Sequence, residues 1–240
     1  MTYREARTRI LTEGKHAEDR RNLLVEKVIR PASIALTLPL IGRGIAPTTV
    51  TKVSLAASTL GFFLLAFGGN RTVRALGWLA MFLWVVLDHV DGNLARCTDR
   101  CTALGDLWDT MAGYAAMVYI YFGAGIAAFH DANALNLFPG HWTLVLGGMT
   151  AVFSIFPRLV LHKKKSSAAA DGAVAALSDK SSFGFVRTAA VNLLSPAGFM
   201  ILFLLAAILF RGLNLFILIY FALNLLMMLA ALYSLLKERP

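Results

Sequence analysis

Six long apolar runs divide the chain, near residues 49–68, 72–96, 103–129, 142–162, 185–210 and 213–236. Each reaches the ~20 residues that a helix needs to cross ~30 Å of hydrocarbon, so the pattern predicts six transmembrane helices and an all-α membrane protein. Residues 1–31 differ, because Leu, Ile and Val alternate there with charges of both signs at helical spacing. That predicts one or two amphipathic helices at the membrane surface. Residues 31–44 are apolar but short and interrupted by proline, which suits an interfacial or re-entrant helix. Pro47, Thr48 and Thr49 then form a helix start before the first span. The organisation expected is an N-terminal interfacial part, 1–45, and a six-helix bundle, 46–240, without an internal repeat.

Composition agrees with the pattern: 58% of residues are hydrophobic and 15% charged, too little polar surface to wrap one soluble core. Residues 1–31 are charged throughout and lack an early apolar stretch, which argues against a secretory signal. The net charge of +9 raises the question of nucleic acid, but the basic residues divide by side. In the six-span arrangement, 20 of the 23 Lys and Arg residues fall on one face and only Arg71, Arg74 and Arg211 on the other. By the positive-inside rule both termini are cytoplasmic, the charge serves orientation and attraction to anionic membrane lipids, and no nucleic-acid partner is expected. Cys97 and Cys101 are the only cysteines. They exclude a disulfide scaffold, and without further soft ligands they form no zinc site.

The acidic residues carry the chemistry. None lies between Glu26 and Asp88, and then Asp88, Asp91, Asp99, Asp106 and Asp109 follow in quick succession. Asp88 closes one apolar run and Asp109 opens the next, where an unpaired carboxylate costs about 2–3 kcal/mol or more and needs a compensating partner. Asp88 and Asp91 share a helix face, as do Asp106 and Asp109, so two helices can bring four carboxylates together. Oxygen-only ligands suit Mg²⁺, Mn²⁺ or Ca²⁺ better than zinc. Capping and salt bridges to Arg96 and Arg100 at a membrane boundary are the competing explanation. Gly92 and Ala95 keep one helix face low, Gly105 does the same on the next helix, and Arg96 supplies a fixed cation for a phosphate oxygen. Together they describe a site for a metal-bound diphosphate.

The stretch LDHVDGNLARCTDRCTALGDLWDTMAG resembles the signature of the CDP-alcohol phosphotransferases, Asp-x-x-Asp-Gly-x-x-Ala-Arg followed after eight residues by Gly-x-x-x-Asp-x-x-x-Asp. Asp88, Asp91, Gly92, Ala95, Arg96, Gly105 and Asp109 match in type and spacing. The final aspartate is replaced by Gly113. The APTTVT segment before the first span also resembles the family, with Thr48 where Asn is frequent. The resemblance implies transfer of a substituted phosphate group from a CDP-linked alcohol to an acceptor alcohol or phosphate, with release of CMP, in phospholipid or glycoconjugate synthesis. It implies that Asp88, Asp91 and Asp109 hold one or two cations, Mg²⁺ or Mn²⁺, on the donor diphosphate, and that Gly92, Ala95, Arg96 and Gly105 lie beside the nucleotide. It also implies a homodimer. A bacterial or archaeal inner membrane, with the active site cytoplasmic, is the expected location.

Gly113 removes the family's general base, and three readings stand side by side. Asp106 replaces it; the acceptor is already ionised, or a metal-bound or substrate group takes the proton; or transfer is impaired while nucleotide binding remains. Arg158 and Arg187, at the ends of the fourth and fifth spans, are the expected cations for a lipid or phosphorylated acceptor, ahead of Lys163, Lys164 and Lys165. His89 is expected to pack rather than react. Asn192, Ser195 and Pro196 interrupt the fifth span. A metal or ion transporter is the reading from another class, disfavoured because the carboxylates crowd one edge of the membrane and no repeat is present.

Overall fold

A computed structural model describes residues 2–170 and 184–237, and every regular element among them is a helix. Two short helices, α1 (Tyr3–Ile10) and α2 (Glu13–Arg20), precede a π-helical segment, Val25–Ile29, that runs straight into α3 (Arg30–Gly42). The bundle follows: α4 (Pro47–Phe67), α5 (Arg71–Cys97), α6 (Ala103–His130), α7 (His141–Ala170), α8 (Gly184–Leu194), α9 (Phe199–Leu209) and α10 (Leu213–Lys237). The helices α4, α5, α6 and α10 and the His141–Val160 part of α7 are long and apolar enough to cross a membrane. The chain is an all-α membrane protein, as the periodicity predicts.

The expected fifth span is two helices rather than one. Pro196 lacks an N–H and disfavours helical geometry at Ser195, so α8 stops before it. The Ser195 hydroxyl accepts from the Ala197 N–H, and the Leu193 carbonyl left without its helical donor accepts from the Tyr220 hydroxyl at 2.9 Å. At Gly198 an added Cβ would collide with the Asn192 carbonyl. Such a break is tolerated among apolar helices because its polar backbone groups find partners inside the protein.

Glycines set the closest helix approaches. At Gly77 on α5 a Cβ would sit 2.5 Å from the Leu65 nitrogen and 2.9 Å from the Gly61 carbonyl of α4. Gly125 on α6 and Gly147 on α7 meet in the same way, with the Thr143 hydroxyl donating to the Gly125 carbonyl. Leu65, Met81, Trp84, Met117, Tyr121, Met200 and Ile217 fill the core between these contacts. Leaving out side chains lets backbones touch where lipid provides no hydrophobic drive between helices.

The N-terminal helices are clasped to the bundle, more firmly than a surface helix needs. Ala6 and Ile10 of α1 pack with Ile34 and Cys97. Arg30, 4% exposed, receives Asp19 of α2 through both carboxylate oxygens, at 2.6 and 2.8 Å, and donates to Asn93 of α5 at 2.9 Å. Asn192 of α8 completes the clasp: its amide donates to the Arg21 carbonyl and its oxygen accepts from the Leu23 N–H. At the opposite end of the bundle Arg74 pairs with Asp131 at 2.9 Å, joining the start of α5 to the residue after α6.

Candidate active site

The turn between α5 and α6 brings the acidic residues together. α5 ends at Cys97, the Thr98 hydroxyl bonds back to the Leu94 carbonyl, and Asp99 takes a left-handed conformation, φ 53°, which Asp tolerates better than most residues. The Thr102 hydroxyl then caps α6 by accepting from the Gly105 N–H at 3.0 Å, the standard role of a helix-start threonine. The reversal takes five residues. It sets the Asp88–Asp91 face of α5 against the Asp106–Asp109 face of α6.

Asp88 and Asp109 lie within hydrogen-bonding reach of each other, and Asp91 is an electrostatic neighbour of both. Asp91 is buried, Asp88 and Asp109 are half-buried, and Asp106 is exposed. Asp91 accepts a 2.7 Å hydrogen bond from the Thr51 hydroxyl of α4. Among the described residues none of Asp88, Asp91 and Asp109 makes an ion pair with Arg96 or Arg100. The boundary salt bridges that competed with a ligand site are therefore not what these carboxylates form. Among the described residues, however, no three His, Cys, Asp or Glu side chains are preassembled in the arrangement of a metal site.

Three cavities meet at the carboxylates. A groove of about 630 Å³ between the α4 start and the α5–α6 turn is lined by Asp91, Gly92, Ala95, Arg96, Gly105, Asp106 and Asp109, together with Thr48 and Thr51. Every residue matched to the nucleotide side of the motif lies on it. A Cβ at Gly92 would approach the Arg96 guanidinium to 3.3 Å, and one at Gly105 would crowd the Thr102 cap, so both glycines keep the groove's polar groups in position. Arg96 donates to the Asn93 amide oxygen at 3.3 Å. Its Nε is buried without a partner among the described residues, a donor whose hydrogen-bonding capacity is unused.

The second cavity, about 610 Å³, is lined by Asp88, Asp106, Asp109, Gly113, Arg158 and neighbouring side chains of α6 and α7. The third, about 360 Å³, shares Asp88, Gly113 and Arg158 and adds Lys15, Trp84 and Ser195. Asp106 and Asp109 line the first and second, so the three spaces share walls. Arg158, the expected acceptor cation, lines the second and third cavities together with Asp88 and Gly113. The Arg187 side chain, and those of Lys163, Lys164 and Lys165, lie outside the described residues. His89 bonds the Val85 carbonyl through Nδ1 at 2.9 Å and lines the third cavity.

Several neighbours of the site were not legible from spacing. Lys15 of α2 acts electrostatically on Asp88 and Asp109, although it lies in a segment that reads as a surface helix. Thr51, within APTTVT, had a signal only in its distance from the helix start. Trp84, 4% exposed, borders the third cavity with its indole N–H unpartnered among the described residues, and its sequence context is uniformly apolar.

Comparison with known proteins adds a family. The CDP-alcohol phosphatidyltransferase model matches residues 44–236. Cholinephosphotransferase 1 from Homo sapiens is 29% identical over 122 residues, 43% of this chain and 30% of the human protein. The Danio rerio protein of that name is 26% identical over 122 residues, 43% and 32%, and the Mus musculus protein 34% identical over 89 residues, 34% and 22%. The matched stretch thus spans about a third or less of these relatives. Four-fifths of the present chain, including all the carboxylates and the groove beside them, falls within the family model, and the chain belongs to the CDP-alcohol phosphatidyltransferase family.

Proposed function

We propose that this protein is an integral-membrane phosphotransferase that moves a substituted phosphate group from a CDP-linked alcohol to an acceptor, releasing CMP. The observation that carries the reading is the meeting of Asp88, Asp91 and Asp109 between a groove bearing Arg96 and a cavity bearing Arg158. One side offers a fixed guanidinium and two glycines to a nucleotide diphosphate; the other leaves room for an acceptor.

The donor set fits a hard divalent cation. Asp88, Asp91 and Asp109 present only oxygen, lie at helix ends where their charge needs compensation, and make no ion pair among the described residues. These three side chains would hold one or two Mg²⁺ or Mn²⁺ ions, a use of divalent metals general to the family, and Asp106 stands at the rim they share. A bound cation would neutralise the diphosphate and improve CMP as a leaving group.

The protein's own groups do the rest. Thr51 fixes the orientation of Asp91, Asn93 fixes that of Arg96, and Arg96 binds the donor phosphates beside Gly92, Ala95 and Gly105. The acceptor enters beside Arg158, with Arg187 as the second expected cation, and its oxygen attacks phosphorus in line with CMP departure. Residues 46–240 act as the catalytic bundle, and 1–45 close it from one side. The distribution of Lys and Arg supports a cytoplasmic site.

The test is CMP release by the purified protein in mixed micelles, screened across CDP-choline, CDP-ethanolamine and CDP-diacylglycerol with lipid and phosphorylated acceptors. Turnover should require Mg²⁺ or Mn²⁺, stop on chelation, and vanish in Asp88→Asn and Asp91→Asn. Turnover indifferent to chelation and to both substitutions would overturn the reading. Gly113 motivates one alternative, a nucleotide-binding member without transfer, which would give cation-dependent CMP binding and no turnover.

A further inference from the structure

Position 113 is open. A Cβ built at Gly113 would meet nothing within 4 Å, and the residue borders both acceptor-side cavities. The cavity has room for a proton-accepting group there, but the glycine supplies none. Asp106, Asp109, Thr110 and Gly113 form one stripe of α6, at the spacing of one helix face. Opposite them on α7 stand Arg158 and, one turn further on, His162. The His162 ring is tied to α6 by a 2.9 Å hydrogen bond between its Nδ1 and the hydroxyl of Tyr114, the residue beside the open position.

His162 and Tyr114 both line the cavity with Asp88 and Asp109. In the function proposed above the carboxylates are engaged with cations. Among the described residues that line this cavity His162 is the one imidazole, a ring whose nitrogen can accept a hydrogen from the Tyr114 hydroxyl. It is exposed, so a proton received there passes on to water. A tyrosine hydroxyl donates one hydrogen and accepts others, which suits it to stand between an acceptor hydroxyl and an imidazole.

Resting on that proposed function, we infer that the Tyr114–His162 pair is the proton acceptor of the transfer reaction, in place of the missing carboxylate at 113. As the acceptor O–H bond breaks, its proton passes to the Tyr114 oxygen and the Tyr114 proton passes to Nδ1 of His162. The electron pair of the acceptor oxygen forms the new P–O bond, and the P–O bond to CMP breaks with its electrons on CMP. The imidazolium of His162 then loses a proton to water. No oxidant or further reactant is required.

The experiment compares wild type, His162→Gln, Tyr114→Phe, the double variant, and Gly113→Asp combined with His162→Gln. It uses the donor and acceptor that give the fastest CMP release in the screen described above. Cation-dependent CMP binding is measured on each variant, so that an unfolded or donor-blind protein is recognised as such. His162→Gln and Tyr114→Phe should each lower kcat by ~10²-fold, the size of a lost general base, with donor KM and CMP binding near wild type. The double variant should be no worse than the poorer single one, because the two residues act as a unit. Gly113→Asp should recover activity in the His162→Gln background, since the carboxylate enters open space. A kcat for His162→Gln within about threefold of wild type, with CMP binding intact, would overturn the pair alone. Absence of cation-dependent CMP binding in wild type would overturn the family chemistry beneath it.

Discussion

The Thr51 hydroxyl donates to an Asp91 carboxylate oxygen across 2.7 Å, joining α4 to α5 inside the bundle. Further along the same helix pair Gly61 and Gly77 let the two backbones approach closely. The hydroxyl fixes one oxygen of a buried acid that lines the groove. Thr51→Val removes the donor and leaves that oxygen unsatisfied, a cost of about 1–3 kcal/mol. CMP release should fall roughly tenfold or more, and Thr51→Ser should stay near wild type. Equal rates for Val and Ser would mean that the hydroxyl does not orient Asp91.

Asp19 and Arg30 should dominate the stability of the N-terminal clasp. Removing one partner of a buried ion pair strands the other, at about 3–5 kcal/mol, whereas an apolar replacement of both costs much less. Heating in detergent followed by size-exclusion chromatography should rank Asp19→Asn well below wild type, with Asp19→Leu/Arg30→Met between them. Arg30 also holds Asn93, which accepts from Arg96. CMP binding should therefore weaken in Asp19→Asn even at temperatures where the variant remains folded.

Cys101 is exposed in the α5–α6 turn, and Cys97 is buried against α1 and α3. A membrane-impermeant maleimide should modify Cys101 in inverted vesicles and spare it in sealed right-side-out cells. Cys101→Ser should abolish the labelling, because Cys97 is shielded. Modification of intact cells would reverse the topology read from Lys and Arg.

Two glycines give opposite predictions for one added methyl group. Gly77→Ala forces a Cβ into the α4 backbone and should lower thermal stability by the equivalent of about 1–3 kcal/mol, as overpacking does. Gly113→Ala enters open space inside a helix and should leave the melting temperature unchanged or slightly raised. Matching losses at both positions would show that the close contact at Gly77 does not set the cost.

The long apolar runs and the motif carry most of the fold and the groove in the sequence itself. A span announces itself through length, and Asp88, Asp91 and Asp109 through charge where charge is costly. The break at Ser195–Gly198 was half legible: Pro196 marks it, but apolar residues on both sides read as one crossing. Lys15, Asp19 and Arg30 were hidden for a different reason. A charged amphipathic segment looks alike whether it lies on lipid or folds inward, and only the partners Asn93 and Asn192, far along the chain, decide between them. Tyr114 and His162 lie 48 positions apart, a pairing set by the packing of α6 on α7 that no local spacing encodes.

The grip of Asn192 on Arg21 and Leu23 spans 171 positions at its widest, which orders events during biosynthesis. A nascent chain has made α5, α6 and every motif residue long before this asparagine leaves the ribosome. Until then its first helices lack their final tether, and the cavity wall that Lys15 shares with Val191 and Ser195 is unfinished. A chain arrested before the eighth helix would thus carry the complete signature while its first helices still lack this tether.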